Sequence, residues 1–103
     1  MIVEELVPAG TVLIREGDQA HAFFVLLSGA AVVERSGEAI GCLEPDAIFG
    51  ELALLTYQRR TATVTTTAPS RVLTISERTF RHLVDTDRSF SRRVFAAAAA
   101  RVY

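Results

Sequence analysis

Two charged side chains, Glu51 and Arg60, have the chemistry to hold an anionic ligand that also carries hydroxyl groups. Arg60 offers a planar guanidinium that can donate two parallel hydrogen bonds to a phosphate. Gly50 lacks a Cβ, so the backbone there can approach a ligand closely, and the N–H groups that open a helical turn at 51–55 would face an anion. A carboxylate repels a phosphate, so Glu51 fits best if it accepts from a sugar hydroxyl and pairs with Arg60. We therefore predict an anion cradle within 49–64.

This stretch resembles the phosphate-binding cassette of cyclic nucleotide-binding domains. The family cassette has two parts at a fixed spacing. The first part is Phe-Gly-Glu, then either Leu or Ile, then Ala-Leu. The second part is Arg, a small residue, Ala, and either Thr or Ser. Residues 49–54 read FGELAL and residues 60–64 read RTATV, so both order and spacing agree. One departure precedes the cassette, where Asp46-Ala47 replaces the usual Gly-Asp pair. The competing interpretation is a strand–turn–strand around a buried Arg–Glu pair, with no ligand.

The resemblance implies a cyclic nucleotide monophosphate as the ligand and gives each matching residue a role. Arg60 would pair with the cyclic phosphate, and Glu51 would accept from the ribose 2′-hydroxyl. Backbone N–H groups would complete the cradle. The residues implied for the phosphate and ribose are Gly50, Glu51, Leu52, Arg60, Thr61 and Ala62.

The purine side of the ligand is less well specified by the sequence. Val33, Ile40 and Leu43 resemble the family's apolar base wall, although an ordinary core position explains each of them equally well. In the family a hydroxyl at the position of Thr61 accompanies either guanine recognition or a phosphate contact, so cAMP is favoured and cGMP is the alternative. The resemblance implies a purine cap from the last helix, where Arg101 or Tyr103 is suitably placed; a solvated helix end is the competing interpretation for both.

Composition sets the broad class of protein. With 103 residues, half of them hydrophobic, the chain is expected to form one globular domain over 1–103. The N-terminus lacks the pattern of a signal peptide and there is one cysteine, Cys42, so we expect a cytoplasmic protein without an intrachain disulfide. We expect Cys42 to be a small buried strand residue. Residues 1–58 hold nine acidic residues and two arginines, while 59–103 hold nine arginines and three acidic residues; no basic stripe of a nucleic-acid-binding domain results.

Short β-branched and apolar segments separated by turn residues predict a mainly β fold with terminal α-helices, of the β-jelly-roll (double-stranded β-helix) type. Residues 1–10 are expected to form a lead containing a turn, and the β roll is expected over about 11–76. Ser76 and Asp87 are predicted to cap two final helices. Phe90, Val94 and Phe95 are expected on one side of the second helix, which would pack against the rest of the fold. The predicted strands are 11–15, 23–27, 30–35, 39–43, 61–67 and 71–76, and the predicted helices are 77–84 and 88–103.

Three functions compete. The leading one is a regulatory sensor that is not an enzyme, needs no cofactor or metal beyond its cAMP or cGMP ligand, and acts alone or as part of a larger protein. Its expected partner is another protein, or a second copy through the C-terminal helix, and neither nucleic acid nor membrane. A metal-dependent jelly-roll enzyme would need about three converging ligands, and the two histidines, His21 and His82, are expected at the surface. A ligand-free interaction domain that has kept the fold is the third.

Overall fold

A computed structural model describes residues 2–100. In this part of the chain strands and helices follow in the order β1 (Ile2–Val7), β2 (Val12–Ile14), β3 (Ala22–Ser28), β4 (Ala31–Arg35), β5 (Glu38–Leu43), β6 (Ile48–Phe49), α1 (Glu51–Thr56), β7 (Thr63–Thr66), β8 (Ser70–Ser76), α2 (Glu77–Thr86) and α3 (Arg88–Ala99).

The strands form two four-stranded sheets with the orders β1-β8-β3-β6 and β2-β7-β4-β5. Every pairing between them is antiparallel. The mainly β roll with terminal helices is therefore confirmed. The turn expected in the lead at 1–10 is present at Ala9 and Gly10, but the strand that precedes it was not predicted. Residues 2–7 are a strand, paired along β8 from Ile2 opposite Ile75 to Val7 opposite Ser70. Five of these six residues are exposed, so no buried face marks the strand in the sequence.

The third strand separates two hydrophobic cores. Side chains alternate across a strand, so Phe24 and Leu26 face the interior between the sheets while Phe23 faces the helices. β3 is therefore covered on both faces. The core between the sheets holds Ile14, Phe24, Leu26, Ala31, Val33, Leu43, Phe49, Ala62, Val64 and Val72. The core under the helices holds Phe23, Leu54, Ile75, Phe80 and Val94.

The two terminal helices begin at the predicted caps. The Ser76 hydroxyl accepts from the N–H of Thr79, and the Asp87 carboxylate accepts from the N–H of Phe90 at 3.0 Å. Phe90 and Val94, four residues apart, share the inner face of α3. Phe95, which the sequence allowed on that same side, is 52% exposed.

The expectation for the single cysteine was wrong. Cys42 is exposed on β5, whereas its neighbour Leu43 is buried. The strand lies at the edge of its sheet, and its inward positions are taken by alternate residues. His21 and His82 are exposed, as predicted. Within residues 2–100, no group of three or more His, Cys, Asp and Glu residues is gathered to hold a metal ion, and no helix has the length and apolar character to cross a membrane.

Candidate anion-binding site

A pocket opens between the first turn of α1 and the segment that leads into β7. Four residues predicted from the sequence meet here: Gly50, Arg60, Thr61 and Ala62. The full lining is Ile14, Phe49, Gly50, Ala53, Arg60, Thr61, Ala62 and Val64. The empty space, counted with the open mouth, is about 300 Å³, but the walls lie so close that the interior is about 20 Å³. That interior holds roughly one water molecule, and most of the empty space lies towards the open mouth.

Gly50 is required at the pocket by both backbone conformation and space. Its φ of +83° lies in the left-handed region that L side chains rarely adopt. A Cβ there would lie 2.9 Å from Arg60 Nη1 and 3.0 Å from Ile14 Cδ1. The space that the absent Cβ leaves open is therefore used by the guanidinium of Arg60.

Arg60 lies inside the fold with only 8% of its surface exposed. Its Nη1 donates to the carbonyl of Gly50 at 2.6 Å, and its Nη2 donates to the carbonyl of Ala22 at 2.5 Å. The backbone is fixed as well, since the N–H of Arg60 donates to the carbonyl of Asp18 and its carbonyl accepts from the N–H of Gly17. A guanidinium has five N–H donors, so the two carbonyl contacts occupy only part of its donor capacity.

Opposing electrostatic effects act on this guanidinium. Burial lowers the pKa of Arg60 from its ordinary value, while the negative charges of Glu51 and, to a smaller extent, Asp18 raise it. An arginine starts far above neutral pH, so Arg60 remains a cation in the pocket wall. Glu51 is fully buried with both carboxylate oxygens enclosed. Its negative charge favours the cationic form of Arg60.

The other predicted site residues within 2–100 do not line this pocket. Leu52 is half-buried on α1, and Glu51 lies beside the pocket in the first turn of that helix. Val33 and Leu43 are buried in the core between the sheets, while Ile40 is 41% exposed on β5. Their roles in a base wall stay predictions. Arg101 and Tyr103, considered as purine caps, fall outside the described residues.

Sequence reasoning missed several parts of the site. Ile14 is an apolar wall residue that the sequence did not place at the site: it pairs with Val64 across β2 and β7, and alternation marks it as inward-facing but not as a neighbour of the cassette. Ala53 and Val64 belong to the cassette, but their role as pocket wall was not predicted. Ala22 contributes only a backbone carbonyl, and no pattern of side chains in the sequence identifies such a contact.

The family model of the cyclic nucleotide-binding domain matches residues 4–87, from the first strand to the end of α2. This chain belongs to that family. The cyclic nucleotide-binding domain described here is 37% identical over 75 residues to the cAMP-dependent protein kinase regulatory subunit of Hypocrea atroviridis; the match covers 73% of this chain and 16% of that protein. It is 35% identical over 85 residues to the regulatory subunit of Yarrowia lipolytica, covering 81% and 23%.

The fold is also similar to solved structures. A regulatory domain of Toxoplasma gondii PKA, crystallised with cAMP, has a TM-score of 0.79 and 33% identity to this cyclic nucleotide-binding domain, covering 91% of this chain and 37% of that one. The chain thus spans less than a quarter of the two curated relatives. Together the comparisons show a jelly-roll domain of the cyclic nucleotide-binding family.

Proposed function

We propose that this domain binds a cyclic nucleotide monophosphate, with cAMP favoured over cGMP, as a non-enzymatic regulatory sensor. The observation that carries the proposal is the buried Arg60 guanidinium in the wall of a pocket that it shares with Gly50, Thr61 and Ala62. A cation held in a largely apolar wall matches a ligand with one phosphate charge. Membership of the family and two cAMP-dependent kinase regulatory subunits among the relatives support the same ligand class.

Within this proposal each cassette residue has one task. Arg60 donates to the cyclic phosphate with the N–H groups that the two carbonyls do not use. Backbone N–H groups of Gly50, Leu52, Thr61 and Ala62 donate to the remaining phosphate oxygens. Glu51 accepts from the ribose 2′-hydroxyl. The proposed base wall is Val33, Ile40 and Leu43, and the proposed purine cap is Arg101.

The small interior of the pocket supports a route from ligand to output. The enclosed part, about 20 Å³, is much smaller than a nucleotide, and we propose that binding moves α1 away from β7. Leu54 on α1 packs in the same core as Phe80 of α2 and Val94 of α3. A shift of α1 would therefore favour a different packing of both terminal helices, which is a population shift between two arrangements.

The output would pass to a protein partner, or to a second copy of the domain, through α3. The outward-facing ring of Phe95, which is 52% exposed, supports this surface. The domain would act alone or as a module of a larger protein, in keeping with the small share of its relatives that it matches. We assign it no contact with nucleic acid.

A ligand-free interaction domain is the second candidate, and the narrow pocket is the observation that favours it. Calorimetric titration of the folded chain with cAMP and with cGMP in parallel, and with 5′-AMP as a non-cyclic control, separates the two candidates. The sensor predicts saturable binding of at least one cyclic nucleotide with a stoichiometry near one, and the ratio of the two affinities identifies the ligand. No saturable heat from either cyclic nucleotide would favour the interaction domain.

A further inference from the structure

We infer that Arg35, at the end of β4, is a positioning residue for the anion cradle. This inference rests on the proposed function, because it concerns how a phosphate donor is oriented. The Nε of Arg35 donates to the carbonyl of Thr61 at 3.0 Å, and the side chain is half-buried. Thr61 lines the pocket next to Arg60. Arg35 itself does not line it, so it acts from behind the wall.

The geometry of the peptide unit explains how a contact behind the wall orients a group inside it. The carbonyl of Thr61 and the N–H of Ala62 belong to one planar peptide, and in the trans form they point in opposite directions. Holding the carbonyl against Arg35 therefore turns the N–H of Ala62 away from Arg35. Because Thr61 and Ala62 both line the pocket, this contact fixes the direction of a donor assigned to the phosphate.

Arg35 is anchored well enough to hold that peptide. Glu34, the preceding residue, pairs with Thr63 in the register of β4 and β7. The following residue, Ser36, donates its N–H to the carboxylate of Glu16 at 2.9 Å. Glu16 in turn donates its own N–H to the Thr63 hydroxyl at 3.0 Å. The backbone on both sides of Arg35 is thus tied to the segment that carries the cradle.

The test compares Arg35→Met with Arg71→Met in calorimetric titrations with cAMP. Arg71 is a matched control, because it lies in the other sheet and makes an exposed ion pair with Glu4. Its substitution by Met removes one positive charge, as Arg35→Met does. We expect Arg35→Met to weaken binding about tenfold, since a hydrogen bond from a charged donor is lost, and Arg71→Met to leave it unchanged. Repetition in about 0.5 M KCl, where charges are strongly screened, should leave the tenfold loss in place. If the loss of cAMP affinity disappeared at high salt, Arg35 would act only through its long-range charge, and the inference would be overturned.

A second readout needs no nucleotide. In ¹⁵N-resolved NMR spectra of the ligand-free protein, Arg35→Met should shift the amide resonance of Ala62 and accelerate its hydrogen exchange, whereas Arg71→Met should do neither. If the unsubstituted protein binds no cyclic nucleotide, the proposed function fails, and this spectrum still decides the positioning role. An unchanged Ala62 amide in Arg35→Met contradicts that role. Arg35→Leu, which likewise lacks a side-chain donor, serves as the variant if Arg35→Met does not fold.

Discussion

Removal of the Arg60 guanidinium should affect stability as well as binding. From the sequence alone, Arg60→Ala would be expected to lose cAMP while the fold survives. In the structure, however, the guanidinium donates hydrogen bonds to the carbonyls of Gly50 and Ala22. Its positive charge also offsets the negative charge of the fully buried Glu51. Removing one member of a buried charge pair typically costs about 3–5 kcal/mol. We therefore expect Arg60→Met to lower the free energy of unfolding by roughly that amount.

A double-mutant cycle isolates the electrostatic part of this cost. Glu51→Gln removes the buried negative charge, so the double variant Arg60→Met/Glu51→Gln should be more stable than Arg60→Met alone, with a coupling energy of about 1–3 kcal/mol. Urea unfolding followed by circular dichroism measures all four proteins. Arg71→Met provides the exposed control, for which a loss of at most about 1 kcal/mol is expected. Strictly additive effects of the two substitutions, or an Arg60→Met protein as stable as the unsubstituted one, would refute the reasoning.

Three further predictions concern backbone, exposure and packing. In urea unfolding, Gly50→Ala should lower the free energy of unfolding more than Gly37→Ala. Both glycines have a positive φ, but of the two only Gly50 has other atoms within 4 Å of the new Cβ. Equal losses of stability would show that the space around Gly50 does not matter. Cys42 should react with a thiol reagent in the native protein as fast as in urea, because it is exposed; protection in the native state would contradict the structure. Phe80→Ala should lower the free energy of unfolding in urea by about 3–5 kcal/mol, because the Phe80 ring is fully buried. Phe95→Ala should lower it by at most about 0.5 kcal/mol, because Phe95 is 52% exposed. Similar losses for the two variants would argue against this arrangement of the helices.

The cassette could be predicted from the sequence because its parts are close along the chain. Gly50 and Arg60 flank one short helix, which keeps them near each other, and contacts of Arg60 with Asp18 and Ala22 then fix its position. The contact between them is nevertheless different from the expectation. Gly50 was expected to make room for a ligand, and in the structure it makes room for the guanidinium.

The features that escaped prediction depend on distant parts of the chain. The Ala22 carbonyl reaches Arg60 from another strand, and Arg35 reaches Thr61 across the sheet. β1 exists through its pairing with β8 rather than through a pattern of its own. Cys42 and Phe95 were placed incorrectly because alternation along a strand or helix gives the period of a buried face but not its phase.

Arg60 is the residue proposed to make this pocket a site for a cyclic phosphate. The most direct test measures the Kd for cAMP of the unsubstituted protein, of Arg60→Lys, and of Arg71→Lys as the control. Lysine keeps the positive charge but lacks the planar two-pronged donor. We predict saturable binding that Arg60→Lys weakens by roughly tenfold or more and Arg71→Lys leaves unchanged. Equal affinity of Arg60→Lys and the unsubstituted protein, or no saturable binding by the folded unsubstituted protein, would contradict the account.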